Sequence, residues 1–366
     1  MRNARTGGTR PSIVRVLAAV ALGLHACLVS AATDLKIVTG SERGTYNAVG
    51  RDLAAVVAPV ADVKLDVLPS AGSAENVRRL RYEPGVKLAL VQSDVYRALL
   101  DQAATGNAEA EGVVRPLRVI LPLYNEEIHF VVRADSKLEF VDQIRDARIS
   151  AGPLGSGAPL TTATLYRLMF DAPLPEANTA FMTNEDALAA LTDRSVDVAV
   201  IVEGQPAKIF ADMKPQARRF IRFLKFDPDH PRAARVLDAY YATALRVESY
   251  PNLLADDVPS IAVRSLLVTD DGGAPPVVRA LARFAGALCE SLSKLQDVGH
   301  PKWRDVQLAL PDLGAGLAYY EPTAKPLRAC IASRLAPPVS PSAAPSPPEA
   351  ARAGCPMQQR VLGLCE

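Results

Sequence analysis

Residues 35–58, LKIVTGSERGTYNAVGRDLAAVVA, decide how the whole chain is read. Residues 35–38 are a short apolar run of the buried-strand kind, Gly40 and Gly44 permit a tight loop, and Val49, Leu53, Val56 and Val57 recur at helical spacing on one face. A helix therefore starts near Thr45, Tyr46 or Asn47. Its first N–H groups have no acceptor inside the helix and the dipole is positive at that end, so the loop suits an anion such as a carboxylate. A single junction of this type reads equally well as a plain turn, but the chain repeats it.

Residues 63–68 alternate like a strand, PSAGS at 69–73 is a loop, and Ser73 can cap a helix running through Asn76, Val77 and Leu80. A third unit follows, with a buried strand at 86–91, Gln92, Ser93 and Asp94 at its carboxyl end, and a helix at 95–103. Loops of this kind converge in an open α/β sheet, where ligands bind beyond the carboxyl ends of parallel strands. After a polar loop at 104–112, residues 117–123 form a strand ending at Tyr124, and 128–132 form the next. Residues 125–127 then read as a crossing between lobes. Glu126 and Glu127 are neighbours on extended chain, face opposite ways, and read as a solvated pair rather than an acid/base pair.

The second lobe begins with a strand at 148–151, the loop GPLGSG at 152–157, and Pro159 at the start of a helix over 160–170. The glycines fall as GxxGxG with no lysine after them, which excludes both the dinucleotide fingerprint and the phosphate loop. A short helix at 186–191 and the buried strand VDVAVIV at 196–202 lead to Glu203 at a strand end, where it meets either a ligand amine or hydroxyl, or water. Residues 228–243 read as helix, 245–259 as the return crossing, 261–268 as a strand, 276–293 as a helix, and 300–320 as short helical pieces. Trp303, Tyr319 and Tyr320 read as packing residues.

Arg2, Arg5, Arg10 and Arg15 followed by an apolar run to Val29 and by Ser30, Ala31 and Ala32 form a secretory signal peptide, cut after Ala31 or Ala32. Leu24, His25, Ala26 and Cys27 fit a lipoprotein site poorly, so a periplasmic protein without a lipid anchor is expected. Removing four leader arginines from 41 basic residues leaves 37 against 40 acids, with no basic block, so nucleic acid is not an expected partner. About 330 mature residues suit two lobes. The expected order is signal peptide 1–31, first lobe 32–126, second lobe 127–244, return to the first lobe 245–335, a Pro/Ala/Ser-rich linker 336–354 and a cysteine-bearing tail 355–366. Cys289, Cys330, Cys355 and Cys365 are expected in disulfides; a Cys355–Cys365 bridge would leave Cys289 with Cys330, and the other connectivities stay open. No metal or cofactor motif occurs.

In order along the chain, GSERGTYNAVG (40–50), SAGSAENVRRL (70–80), LALVQSDV (88–95), HFVVRADS (129–136), ISAGPLGSG (149–157) and YPNLLADDVPSIAVRSLLVT (250–269) resemble the TAXI family, the substrate-binding subunits of TRAP transporters. The resemblance covers about residues 35–320. It implies a two-lobed type II periplasmic-binding-protein fold, each lobe a mixed, mostly parallel sheet flanked by helices, closing on glutamate, 2-oxoglutarate or a related dicarboxylate and delivering it to a TRAP permease. The implied ligand residues are Gly40, Ser41, Gly44, Thr45 and Tyr46 in the first loop; Ser70, Ser73 and Asn76 in the second; Gln92, Ser93 and Asp94 in the third. In the second lobe they are Pro153, Gly155, Ser156 and Gly157, with Thr161 and Thr162 on the following helix.

The chain departs from the family pattern at Glu42 and Arg43, and at Glu203 before Gly204. Arg43 can form a bidentate pair with a substrate carboxylate, or face solvent, or pair with Glu42 or Glu203. The expected mechanism is capture by closure in a monomer. Helix starts near Tyr46 and Ser156 take the carboxylate, and Ser41, Ser73, Gln92 and Tyr124 bind the rest. One rival, an exported hydrolase, lacks a GxSxG elbow, a loop cysteine and a loop histidine. The other rival is a receptor that signals through the tail.

Overall fold

The computed structural model describes residues 32–335 other than Ala315. The expected signal peptide, the linker, the tail and its Cys355 and Cys365 lie outside the described residues. The strands are β1 (Thr33–Val38), β2 (Val63–Leu68), β3 (Val86–Gln92), β4 (Leu117–Arg133), β5 (Ile149–Ser150), β6 (Thr179–Ala180), β7 (Val198–Glu203), β8 (Ile221–Phe223), β9 (Tyr241–Leu245) and β10 (Val258–Asp270). The helices are α1 (Thr45–Asp52), α2 (Ser73–Tyr82), α3 (Ser93–Ala104), α4 (Ala108–Val114), α5 (Ala158–Phe170), α6 (Asn184–Thr192), α7 (Lys208–Ala211), α8 (Ala233–Leu237), α9 (Pro275–Val298) and α10 (Glu321–Leu335).

One sheet runs through the molecule in the order β2-β1-β3-β10-β4-β7-β5-β6. At one end β2, β1 and β3 are parallel, and at the other β7, β5 and β6 are parallel. The long β4 and β10 run antiparallel between them and to each other, and they belong to both halves. Each half wraps apolar cores on the two faces of its sheet. In the first lobe Val49, Leu53, Leu288 and Trp303 fill one face, and Val77, Leu80, Val95 and Tyr96 the other. In the second, Phe130, Leu165 and Tyr166 fill one, and Phe210, Phe223, Tyr250 and Leu254 the other. The chain thus adopts the expected two-lobed α/β architecture, with the ligand cleft between the lobes. β3 shows why its sequence is so continuously apolar: six of its seven residues are buried, because helices cover both faces.

Both passages between lobes differ from the sequence reading. Residues 117–133 are one unbroken strand, not two strands joined by a crossing, and Glu126 and Glu127 lie inside it, 3% and 2% exposed. They are therefore not a solvated pair. Each carboxylate has a buried partner, Tyr46 for Glu126 and Lys302 for Glu127, and this pairing lets a polar stretch continue a central strand. The return passage is β10 itself rather than 245–259, because Tyr250 and Leu254 belong to the second lobe's core. Along β10, Ile261 and Val263 pack in the second lobe while Leu266 and Leu267 pack in the first, with a register shift between Arg264 and Leu266.

The stretch 228–243 holds only the short α8, because Tyr241–Leu245 is drawn into a ladder with β10. α10, which the sequence reading did not anticipate, packs on α9 and is joined to it by a Cys289–Cys330 disulfide. Trp303 and Tyr320 are buried packing residues, as expected, while Tyr319 is partly buried against the first lobe's core. No helix among the described residues is long and apolar enough to cross a membrane.

Candidate functional site

The carboxyl ends of β1, β2 and β3 face those of β5 and β7 across a cavity of about 290 Å³. The first lobe contributes Gly40, Ser41 and Arg43 to Tyr46 of the first loop, Ala71 to Ser73, and Gln92. The second contributes Pro153, Ser156 to Ala158, Thr183 to Glu185, Val202, Glu203 and Ile209, while Glu126 projects from β4.

The lobes touch directly around this cavity. Glu75 N–H donates to Gly155 O at 2.8 Å. Thr161 Oγ1 and Tyr240 OH both donate to Asp94 Oδ2, at 2.6 and 3.1 Å. Thr45 Oγ1 donates to Gly204 O at 2.9 Å. Glycine makes the approach possible at two points. Gly72, at φ +131°, would place a Cβ 3.2 Å from Ser156 Cα, and a Cβ on Gly157 would fall 1.3 Å from Gln92 Oε1.

The first of these loops was expected to hold a ligand carboxylate at the start of α1. It already holds a carboxylate of the chain. Glu203 Oε1 accepts from Thr45 N–H at 3.0 Å, across the cleft, and Gly44 at the N-cap offers no side chain to compete for that donor. Burial pushes the Glu203 carboxyl up to about 7; Glu185 adds to the rise, while the Thr45 N–H and Arg43 oppose it. The Glu126 carboxyl is pushed well up, first by burial and then by Glu203, Asp94 and Glu127, against the hydrogen bond that Tyr46 OH donates to its Oε2 at 2.6 Å.

The second loop is open. At the start of α5, Ser156 Oγ donates to Pro153 O at 2.7 Å and accepts from Ala158 N–H at 3.3 Å. Gly157 N–H meets no acceptor among the described residues. Arg43 stands half-exposed at the mouth, 3.5 Å from Asp212 rather than paired with Glu42 or Glu203.

A model of the NMT1-like family matches residues 37–313. The chain belongs to the NMT1-like family. Three solved structures align with this NMT1-like protein at low identity. They are a periplasmic sulfonate-binding protein, SsuA, of Methylobacillus flagellatus KT (11% identity, 73% of this chain and 70% of that one, TM-score 0.44); a periplasmic transporter protein (12%, 82% and 94%, 0.47); and an arginine transport-system binding protein of Legionella pneumophila (12%, 71% and 94%, 0.42).

Of the residues singled out from the NMT1-like sequence, Gly40, Ser41, Arg43, Gly44, Thr45, Tyr46, Ser73, Gln92, Pro153, Ser156, Gly157 and Glu203 line the cavity. The others have different work. Asn76 Nδ2 donates to Thr39 O and Leu90 O at 2.6 and 2.7 Å, and its Oδ1 accepts from Ser70 Oγ, so this pair ties strand ends together. Asp94 and Thr161 are consumed by the lobe contact, and Gly155 supplies its carbonyl to another. Ser93 opens α3 outside the cavity lining. Thr162 and Tyr124 are buried beside the cavity without lining it.

Sequence reasoning missed Glu126, Thr183, Asn184 and Glu185. Thr183, whose hydroxyl caps α6, carried a readable signal in the T-x-x-D spacing to Asp186, while Glu126 was obscured by its acidic neighbour. His129 lies away from the cavity. Its Nε2 is 2.8 Å from Tyr250 OH among Phe210 and Phe223, and burial pushes it down to about 3.

Proposed function

We propose that this protein is an extracytoplasmic solute-binding protein that captures a small carboxylate-bearing solute by closure of its two lobes and passes it to a TRAP-type membrane permease. The observation that carries this reading is the cavity between the lobes, walled by strand-end loops from both, where the lobes already touch through Glu203, Asp94 and Gly155. A chamber of this kind, bounded by strand ends and joined by two continuous strands, closes by bending β4 and β10 rather than by assembling new elements. The open start of α5 at Gly157, the amide of Gln92 and the guanidinium of Arg43 supply donors for one carboxylate. The resemblance of the first loop, the third loop and GPLGSG to the TAXI pattern supports the permease and the acidic solute. No covalent step is part of the proposal.

A thermal-shift screen of the mature protein, freed of retained solute by unfolding and refolding, tests it. A true ligand at one hundred times its dissociation constant raises stability by about 2.7 kcal/mol. Glutamate, 2-oxoglutarate, other dicarboxylates and monocarboxylic amino acids form the panel. A shift with one class supports capture, and a flat panel in folded protein overturns the reading.

A further inference from the structure

We propose that the cavity recognises an ammonium group as well as a carboxylate, that Glu126 and Glu203 hold the ammonium, and that the solute is therefore a 2-amino acid rather than the matching 2-oxo acid. The inference rests on the solute-binding reading and specifies its ligand.

Glu126 and Glu203 are 3% and 8% exposed, and both line the chamber. Each has one oxygen held by the protein: Glu126 Oε2 by Tyr46 OH at 2.6 Å, and Glu203 Oε1 by Thr45 N–H at 3.0 Å. The second oxygen of each meets no donor among the described residues, and neither is sealed from the cavity. A separate observation lies on the same walls. Gln92 is 4% exposed, and its Nε2 donates to nothing among the described residues, as does Gly157 N–H. One chamber thus presents spare acceptors and spare donors together.

An ammonium brings three donors and no acceptor, whereas a carboxylate brings acceptors only. The two sets match an amphoteric solute. A dianion would meet Glu126, Glu185 and Glu203 with Arg43 as the only cation among the lining residues, and that cation is half-committed to Asp212. No group of three or more His, Cys, Asp or Glu side chains among the described residues is placed to hold a metal ion.

Matched pairs that differ only at carbon 2 decide the matter. Alanine with pyruvate and glutamate with 2-oxoglutarate are titrated by calorimetry into the solute-free wild type, Glu126→Gln and Glu203→Gln. The amino acid of a pair is expected to bind at least about tenfold tighter than its 2-oxo partner, and either substitution is expected to erase most of that ratio. Equal binding of both members to the wild type overturns the ammonium site while leaving solute capture intact. A preference that persists in both folded variants overturns the assignment to these carboxyls. Failure of every acid to bind overturns the solute reading and this inference with it. Should a variant not fold, the wild-type ratio still decides.

Discussion

Glu203 Oε1 sits 3.0 Å from Thr45 N–H, with Arg43 on the same loop, Glu185 on α6 and Glu126 on β4 as its charged neighbours. Its carboxyl is held up to about 7 from an ordinary value of 4.5, chiefly by burial. A group raised in the folded state binds its proton there while the unfolded chain has released it. Its stabilising contribution is therefore present below the unfolded value and is lost as pH rises through the folded one. The loss is bounded at roughly 3.5 kcal/mol, since each pKa unit is worth about 1.4 kcal/mol. Glu126 and Asp94 shift the same way, so only a comparison isolates Glu203. Between about pH 5 and about pH 8 the melting temperature of Glu203→Gln should gain on the wild type. A difference that stays constant with pH would show that Glu203 does not titrate in this range.

At the scale of elements, β4 is held in place by charge as well as by its ladder. Lys302 is 2% exposed, and its Nζ donates to Glu127 Oε1 at 2.7 Å and to Asp305 Oδ2 at 2.8 Å, while Glu127 Oε2 accepts from Gln205 N–H at 2.7 Å. The turn at Pro301–Asp305, the middle of β4 and the loop after β7 thus share one buried carboxylate. Removing one member leaves an uncompensated buried charge, which costs about 3–5 kcal/mol. Lys302→Met should lower the unfolding free energy in urea by that amount, and adding Glu127→Gln should recover part of it. A loss under about 1 kcal/mol would mean that the pair is dispensable to the fold. Glu126, the residue before, faces the opposite side of the strand and reaches the ligand cavity. This alternation explains how two adjacent acids serve a structural tie and a binding wall.

For the molecule as a whole, two carboxylates join the lobes from opposite sides of the cleft. Asp94 of the first lobe accepts from Thr161 and Tyr240 of the second, and Glu203 of the second accepts from Thr45 of the first. Under the proposed capture by closure, bonds of this type favour the closed form by about 1.5–3 kcal/mol each. Asp94→Ala removes two acceptor contacts that lie outside the cavity lining. Its solute-free form should therefore open, with a larger radius of gyration by small-angle scattering, and its solute affinity should fall about tenfold or more without any lost ligand contact. An unchanged radius with unchanged affinity would remove Asp94 from the closing mechanism.

The strand-loop-helix units and the loops that carry Gly40–Tyr46, Ser73, Gln92 and Ser156 were legible in the sequence, because apolar periodicity and glycine placement are local properties of the chain. The same local reading misjudged Glu126, Glu127, Asp94 and the limits of both lobe passages. Whether an acid is solvated, buried against a lysine, or spent on a bond across a cleft depends on partners far along the chain: Lys302 for Glu127, Thr161 and Tyr240 for Asp94, Thr45 for Glu203. The sequence by itself determined an α/β chain whose polar loops meet at strand ends. Only the tertiary structure decided which of those polar groups remain free to meet a solute, because a hydrogen bond leaves no mark in sequence when its two halves lie 67 to 175 residues apart.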